Sequence, residues 1–590
     1  MNLIGIQYNI NNSIALMIDG QVKSAISEER FSRLKNDCHF PIKSLEWTLQ
    51  EHGLKIKEID YWLLTHIEHS FVNQLIRRYD SFSVADYVRE QDEYWYPKLY
   101  QGQEVDYSQV FKDKIDLSQW PAEYWSNMVD GNGRVKAPEG DFRVEILNKY
   151  LGIPKDKIKL IDHHVCHAAY AYFGSPYTYQ GDVLALTIDG YGDGANATVS
   201  IIDGQKRWER VYTTLNANLG RLYRYITLLL GMKPNEHEYK LMGLAPYAKE
   251  AYLQEIAKLF SQFVYVEDGQ FQIGQRPPDM YFFYRDRLKS YRFDNIAGGI
   301  QRFVEETLVK WVEDLVAKYG IKTVVMSGGV AMNVKAIGEI AARTSVERLF
   351  VPGNPADETN CIGVLFYFNH LMGHKNQPLK TLCLGNQALV SDQLLSRFKE
   401  KGYRLIFNPS FEEVARQVAN YKVIGRCAGR MEFGARALGN RSILARADRE
   451  EIKEKVNLAI KNRDFWMPFA PVILEEFSDQ YIINPKKIKS PHMTVAFKTT
   501  PLGQQVFKAA MHPADKTVRA QLLGPDENPE LRQFLLAYKD LTGQAGCLNT
   551  SFNLHGYPIV MTSEDAAEVF DSSGLDGLWL DGLLVLKKAK

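Results

Sequence analysis

The chain has 590 residues, more than a single hydrophobic core usually supports, so two or more domains are expected. It is 45% hydrophobic and 24% charged, and its 71 Lys and Arg balance 71 Asp and Glu, which argues against nucleic acid as a partner. Six scattered cysteines form no C-x-x-C pair and no apolar run nears the roughly 18 residues of a membrane span, so a zinc ribbon, a disulfide framework and a membrane anchor are set aside and a soluble, cytoplasmic protein is expected.

The start at Met1 enters a strand-like run with no basic leader. Residues 14–18 and 22–26 read as strands joined by Asp19-Gly20-Gln21, where Gly takes a positive φ without steric cost. Residues 67–150 mix aromatics (Tyr94, Trp95, Tyr96, Tyr100, Trp120, Tyr124, Trp125) with polar residues at poor periodicity. They read as a mostly helical insertion, which leaves open a cap over a substrate site, a homodimer surface or plain packing.

Residues 157–161 read as a strand, Asp162 as an N-cap and His163 onward as a helix. His163 and His167 are four apart and share a face, so two neutral imidazoles can hold one divalent ion. His164 lies beside them. Oxygen ligands are needed as well, and Asp189 and Asp357, each following a strand-like run, are the candidates, although spacing alone does not select them. Such a set suits Fe2+, Mn2+ or Mg2+ better than structural zinc.

Residues 183–188 lead into the Gly-rich turn Asp189-Gly190-Tyr191-Gly192-Asp193-Gly194, then residues 198–202 reach Asp203-Gly204-Gln205. Two strand–turn–strand units suggest an internal duplication of the kind the actin/sugar-kinase/Hsp70 architecture uses. Residues 323–327 run into Gly328 and Gly329 and then toward Asn333, a strand-to-helix turn whose backbone N–H groups suit a phosphate or ribose. The pattern turns loop-like at 370–390, and a helix at 412–420 and a strand at 422–426 start afresh, placing a domain boundary between 1–380 and 381–590.

Several blocks then carry a resemblance. They are 28–33 (Glu-Glu-Arg-Phe-Ser-Arg), 163–169 (His-His-Val-Cys-His-Ala-Ala), 240–247, 328–333, 429–443 and Asn549-Thr550-Ser551-Phe552-Asn553. Over nearly its whole length the chain resembles the NodU/CmcH family of O-carbamoyltransferases, which includes the tobramycin carbamoyltransferase. The resemblance implies an α/β protein: an N-terminal duplicated domain like the universal tRNA threonylcarbamoyl transferase, and a C-terminal YrdC-like domain. It implies that carbamoyl phosphate and ATP give carbamoyl-adenylate and pyrophosphate in the second domain. The carbamoyl group then passes to a small-molecule hydroxyl at an iron-type ion in the first, as in antibiotic or toxin biosynthesis.

Anionic substrates call for fixed cations, and Arg436, Arg441, Lys461 and Arg519 are the candidates, with Asn549 and Ser551 on carbamoyl or phosphoryl oxygens. Lys461, Arg519 and Ser551 are the expected catalytic groups there, and His512 falls in a matching block. Two departures stand out. Ile10 and Asn11 replace a family His-Asp pair, which moves proton abstraction to another group such as His164. Met467 replaces a family Arg, with Arg463 nearby to compensate, and Ala435 replaces a common Pro. Rival expectations are a tRNA-modifying transferase, disfavoured by the balanced charge, an ATP-dependent ligase or transferase using another activated acyl group, and a nucleotide-binding interaction protein whose catalysis has decayed.

Overall fold

The computed structural model describes residues 1–117, 140–203 and 207–588. Two compact units account for the chain: Met1–Met332 with Thr344–Val346 and Pro355–Pro378, and Asn333–Arg343 with Glu347–Asn354 and Leu379–Lys590.

The first unit opens with β1 (Asn2–Gln7), β2 (Ser13–Ile18) and β3 (Gln21–Ser27), an antiparallel meander. Its second turn has Asp19 at φ 48° and Gly20 at φ 75°, the two positive values a tight hairpin needs. Parallel strands β4 (Tyr61–Leu64) and β5 (Ile158–Leu160) complete the order β3-β2-β1-β4-β5. A second sheet repeats the pattern. β6 (Val183–Gly192), β7 (Ala195–Ile202) and β8 (Trp208–Thr214) form the meander, and Thr323–Ser327 adds parallel to β6. The two units suggested as a duplication thus head sheets of matching order.

One detail differs from the sequence reading. The tight turn is not at Asp189 but at Asp193 and Gly194, with φ of 46° and 75°. β6 runs on to Gly192, and its register with β7 shifts between Ile188 and Gly192. A bulge of that kind re-aims a side chain, here the carboxylate of Asp189.

Two buried helices lie between the sheets. His163–Phe173 packs on β6 and on Thr323–Ser327, while Asn360–Leu371 packs on β1, β2 and β4, and the helices pack on each other. Their approach depends on glycine, since a Cβ at Gly363 would stand 2.0 Å from the Cys166 carbonyl oxygen, and one at Gly5 2.0 Å from that of Cys361. In the insertion the described residues include the helices Phe71–Leu75, Val84–Arg89, Tyr96–Tyr100, Tyr107–Val110 and Phe142–Leu151. Ile76, Phe82, Tyr87 and Phe111 share one core with Leu228, Tyr281 and Phe282. Trp120, Tyr124 and Trp125, like Gly204 and Gln205, lie outside the described residues.

The second unit is built on an eight-stranded mixed sheet in the order Arg404–Phe407, Leu583–Leu586, Gly577–Leu580, Ile424–Cys427, Arg441–Ala445, Gly546–Ser551, Pro471–Leu474, Gln521–Leu523. Ser442 pairs with Ser551, which sets the start of one strand beside the end of its neighbour. Phe411–Ala419 opens on the Ser410 capping box and packs on Pro529–Thr542. Among the described residues no helix is long and apolar enough to cross a membrane.

Candidate metal centre and cation cluster

In the first unit four side chains from three segments converge. Asp162 caps its helix by accepting from Val165 N at 2.8 Å, which starts the helix at His163 and points His163 and His167 the same way. The β6 bulge supplies Asp189, and the Asp357–Thr359 turn ahead of the Asn360–Leu371 helix supplies Asp357. His163 Nε2 and His167 Nε2 are 3.1 Å apart, and Asp189 Oδ2 lies 3.3 and 3.1 Å from them. Asp357 Oδ1 is 3.7 and 3.4 Å from the same nitrogens. All four donor atoms fall within 4.8 Å of one another. Separations of this size are the edges of a polyhedron whose donors stand about 2.1 Å from a central ion.

The surroundings prepare the donors. The Ser327 hydroxyl donates to Pro355 O at 3.0 Å, so it accepts from His167 Nδ1 at 3.1 Å, which leaves the Nε2 lone pair facing the cluster. Gly192 makes room for the His163 ring, because a Cβ there would stand 2.2 Å from His163 Cδ2. Asp193 accepts from the backbone N–H groups of His163, Ile67 and Glu68, tying the helix start to the segment after β4. Asn360 Nδ2 lies 3.2 Å from His167 Nε2, while its buried Oδ1 lacks a hydrogen-bond partner among the described residues. With the amide turned over, that oxygen faces the cluster as a further neutral donor.

The electrostatics agree with a cation. Burial opposes ionisation of both carboxyls; at Asp189 the two imidazoles overcome it and hold the group well below the usual carboxylate range, while Asp357, beside charged Asp189, is pushed up. Burial alone would lower His163, but Asp357 and Asp189 raise it to about 9. Two carboxylates in so small a space demand positive charge, and a divalent ion supplies it while releasing the imidazole proton. The chemistry of the donor set therefore fits the expected ion.

The other expected residues of this unit fall differently. His164 is fully buried, with Nδ1 at 2.7 Å from Thr187 Oγ1, which in turn lies 2.7 Å from Thr198 Oγ1. Burial and its two histidine neighbours lower it to about 3. This position braces β6 against β7 and keeps the ring from solvent, while its buried Nε2 has no hydrogen-bond partner among the described residues. Gly328 and Gly329 belong to the metal centre's framework: Gly328, at φ 104°, packs on Ile188 O, and a Cβ on Gly329 would stand 2.9 Å from Asp189 Oδ1. Asn333 accepts from Ala336 N at 3.1 Å and opens the Val334–Arg343 helix of the second unit. His66 was not foreseen. Its ring lies tilted at 41° to that of His163 with centroids 4.4 Å apart, and its own burial, then His163, holds it well below its ordinary value.

In the second unit Lys461, Arg436, Arg463 and Arg519 are gathered. Lys461 Nζ donates to Ser551 Oγ at 3.1 Å and Asn553 Oδ1 at 2.6 Å, and also to the carbonyls of both residues. None of these partners is charged. Burial, then Arg463, pulls Lys461 well down; burial, then Arg436 and Arg463, does the same to Arg519. Arg463 thus adds charge to this cluster and lies over the Phe469 ring, while Met467 is buried. Asn549 donates to Gln521 Oε1 at 2.8 Å, and its buried Oδ1 remains without a partner among the described residues. His512 accepts from Ala514 N at 3.2 Å and stays within its own loop.

Arg441 is held mainly by backbone. Its guanidinium is buried and donates to the carbonyls of Met561, Ala428, Gly429, Asn440 and Asn386. Nε and Nη1 are committed by these bonds, while Nη2 makes one of them and keeps a second N–H.

Residues 2–365 match the model of the carbamoyltransferase N-terminus, and residues 415–587 that of the carbamoyltransferase C-terminus. An uncharacterized protein of Methanocaldococcus jannaschii is 28% identical, with all of both chains aligned. The nodulation protein NolNO of Sinorhizobium fredii is 26% identical over 98% of this chain and 79% of its own. Among solved structures, T. kodakarensis HypF aligns over 64% of this chain and 49% of its own at 12% identity, with a TM-score of 0.32.

Proposed function

The chain belongs to the carbamoyltransferase family, and on that premise we propose an ATP-dependent O-carbamoyltransferase with two stations. Carbamoyl phosphate and ATP are converted to carbamoyl-adenylate in the second, YrdC-like unit. The first, kinase-like unit then transfers the carbamoyl group to a hydroxyl of a small-molecule acceptor. The observation that carries this reading is the convergence of His163, His167, Asp189 and Asp357 in the first unit, within a family whose name states the group transferred.

Atom balance requires one water and releases inorganic phosphate. In the order proposed, water hydrolyses carbamoyl phosphate to carbamate and phosphate; the carbamate oxygen then attacks the α-phosphorus of ATP and pyrophosphate leaves. Lys461, Arg519, Arg436 and Arg463 offset the charge that these substrates bring together. The depressed proton affinity of Lys461 and Arg519, caused by burial and by the neighbouring arginines, makes an anion a stabilising partner. The Ser551 hydroxyl donates to carbamoyl or phosphoryl oxygens, and the open Oδ1 of Asn549 accepts from the carbamoyl amide.

At the second station the acceptor oxygen bonds to the carbamoyl carbon, the mixed anhydride bond breaks, AMP departs with the electron pair, and the hydroxyl proton passes to the departing phosphate or to water. A divalent ion, with Fe2+ favoured by the two-imidazole, two-carboxylate set, supplies Lewis-acid polarisation of the carbamoyl or phosphate oxygens. His163, His167, Asp189 and Asp357 hold it, Ser327 fixes the tautomer of His167, and His66 backs the ring of His163. His164, sealed between β6 and β7, serves the fold of this centre and is not assigned as the base.

The test is pyrophosphate release on incubation with ATP and carbamoyl phosphate, with and without candidate alcohols. Carbamoyl-phosphate-dependent release is expected, abolished by Arg519→Ala. His167→Ala is expected to keep the release and to stop carbamoyl transfer. No dependence of pyrophosphate on carbamoyl phosphate would sink the adenylate mechanism.

A further inference from the structure

The helix Leu219–Leu229 flanks the metal centre and carries two basic residues that the reactions above do not use. It packs on β6 and on the Gly329–Met332 turn. Its Gly220 sits so close to the ligand strand that a Cβ would stand 3.0 Å from Gly190 N and 3.3 Å from the carbonyl carbon of Asp189. Arg221 and Arg224 follow directly, three apart and therefore on one face.

Among the described residues both guanidiniums rest on aromatic rings instead of on carboxylates. Arg221 lies 5.3 Å from the centroid of Tyr191, two residues beyond Asp189, and Arg224 lies 5.0 Å from that of Tyr225. Carboxyls in the neighbourhood are committed or neutralised. Glu90 is taken by Arg78 at 3.1 and 2.7 Å and by the Tyr107 hydroxyl at 2.8 Å. Glu238, within the field of Arg224, is raised to about 7 by its burial. Arg221 is lowered by burial and then by Arg224, so the pair repel one another.

We propose that Arg221 and Arg224 form a phosphate-binding subsite beside the His163, His167, Asp189 and Asp357 cluster. Two planar guanidiniums, that of Arg224 also bonded to the Tyr225 hydroxyl, carry N–H donors that match phosphate oxygens, and a bound phosphate relieves their repulsion. The proposal rests on the carbamoyl-transfer reading for its two sources of phosphate: the adenylate of the carbamoyl donor, or a phosphate ester on the acceptor.

Binding of AMP, adenosine and inorganic phosphate to the full chain by calorimetry tests this, in an Arg519→Gln background so that the second unit's cluster does not contribute. The Arg221→Gln/Arg224→Gln pair is expected to weaken AMP at least tenfold and leave adenosine unchanged, and the Arg→Lys pair to restore most of it. Loss of inorganic phosphate binding with AMP unchanged would support the subsite and assign its phosphate to the acceptor. Unchanged affinity for both AMP and phosphate would overturn the proposal. So would a lowered melting temperature with binding retained, since that outcome gives the pair a packing role. A wild-type chain that releases no carbamoyl-phosphate-dependent pyrophosphate would remove the adenylate reading yet leave this binding result standing.

Discussion

His167 donates its Nδ1 proton to Ser327 at 3.1 Å because the Ser327 hydroxyl has already given its own proton to Pro355 O at 3.0 Å. One backbone carbonyl thereby decides which nitrogen of a ligand imidazole faces the metal centre. Ser327→Ala removes the acceptor and frees the ring to turn or to change tautomer. Iron affinity, measured by competition with a chelator, is expected to fall about 10–100-fold while all four donors remain in the sequence. Unaltered affinity would mean that helix packing alone orients the ring.

How much of this could be read beforehand follows from the range of each interaction. His163 and His167 were legible because a helix places i and i+4 on one face and Asp162 marks its start. Asp189 and Asp357 could be nominated by their place after strands, but their approach to the same point depends on a bulge in β6 and on two helices crossing at glycines. Ser327, Asn360 and His66 carried no local signal, since each matters only through a contact distant in the chain. Arg441 shows another long-range dependence: its block marks a guanidinium, and only the fold reveals the five carbonyls around it.

Gly363 lets the two central helices meet with no space for a methyl group, the added carbon standing 2.0 Å from Cys166 O. Gly363→Ala must therefore push the helices apart, at a cost of about 1–3 kcal/mol or more. Because both helices begin at the metal centre, metal affinity should fall together with the melting temperature. A variant that kept its melting temperature and lost only metal would contradict this coupling.

Glu238 gives the folded chain a pH dependence of definite sign. Its burial raises it from 4.5 to about 7, so the native state binds more protons there than the unfolded chain between those values. The stabilising contribution is complete below about pH 4.5 and is lost as the pH rises through 7. Denaturant midpoints measured from pH 5 to 8 should decline more steeply for the wild type than for Glu238→Gln. Identical slopes would show that the carboxyl titrates as an ordinary one.

Arg441 and Arg519 make opposite predictions although both are arginines of the second unit. Truncating Arg441 to Ala leaves the carbonyls of Met561, Ala428, Gly429, Asn440 and Asn386 without that donor inside the core. Even with water reaching some of them, a loss on the order of 3–5 kcal/mol is expected, because each unsatisfied buried acceptor costs about 1–3 kcal/mol. Arg519 sits among like charges, and its burial with Arg436 and Arg463 already disfavours its charged form. Arg519→Ala removes repulsion, so the melting temperature should hold or rise while pyrophosphate release disappears. Urea unfolding of the two variants beside the pyrophosphate assay separates the roles. Equal destabilisation by both would mean that Arg519, too, is held by the fold for its own stability and not kept free for a phosphate.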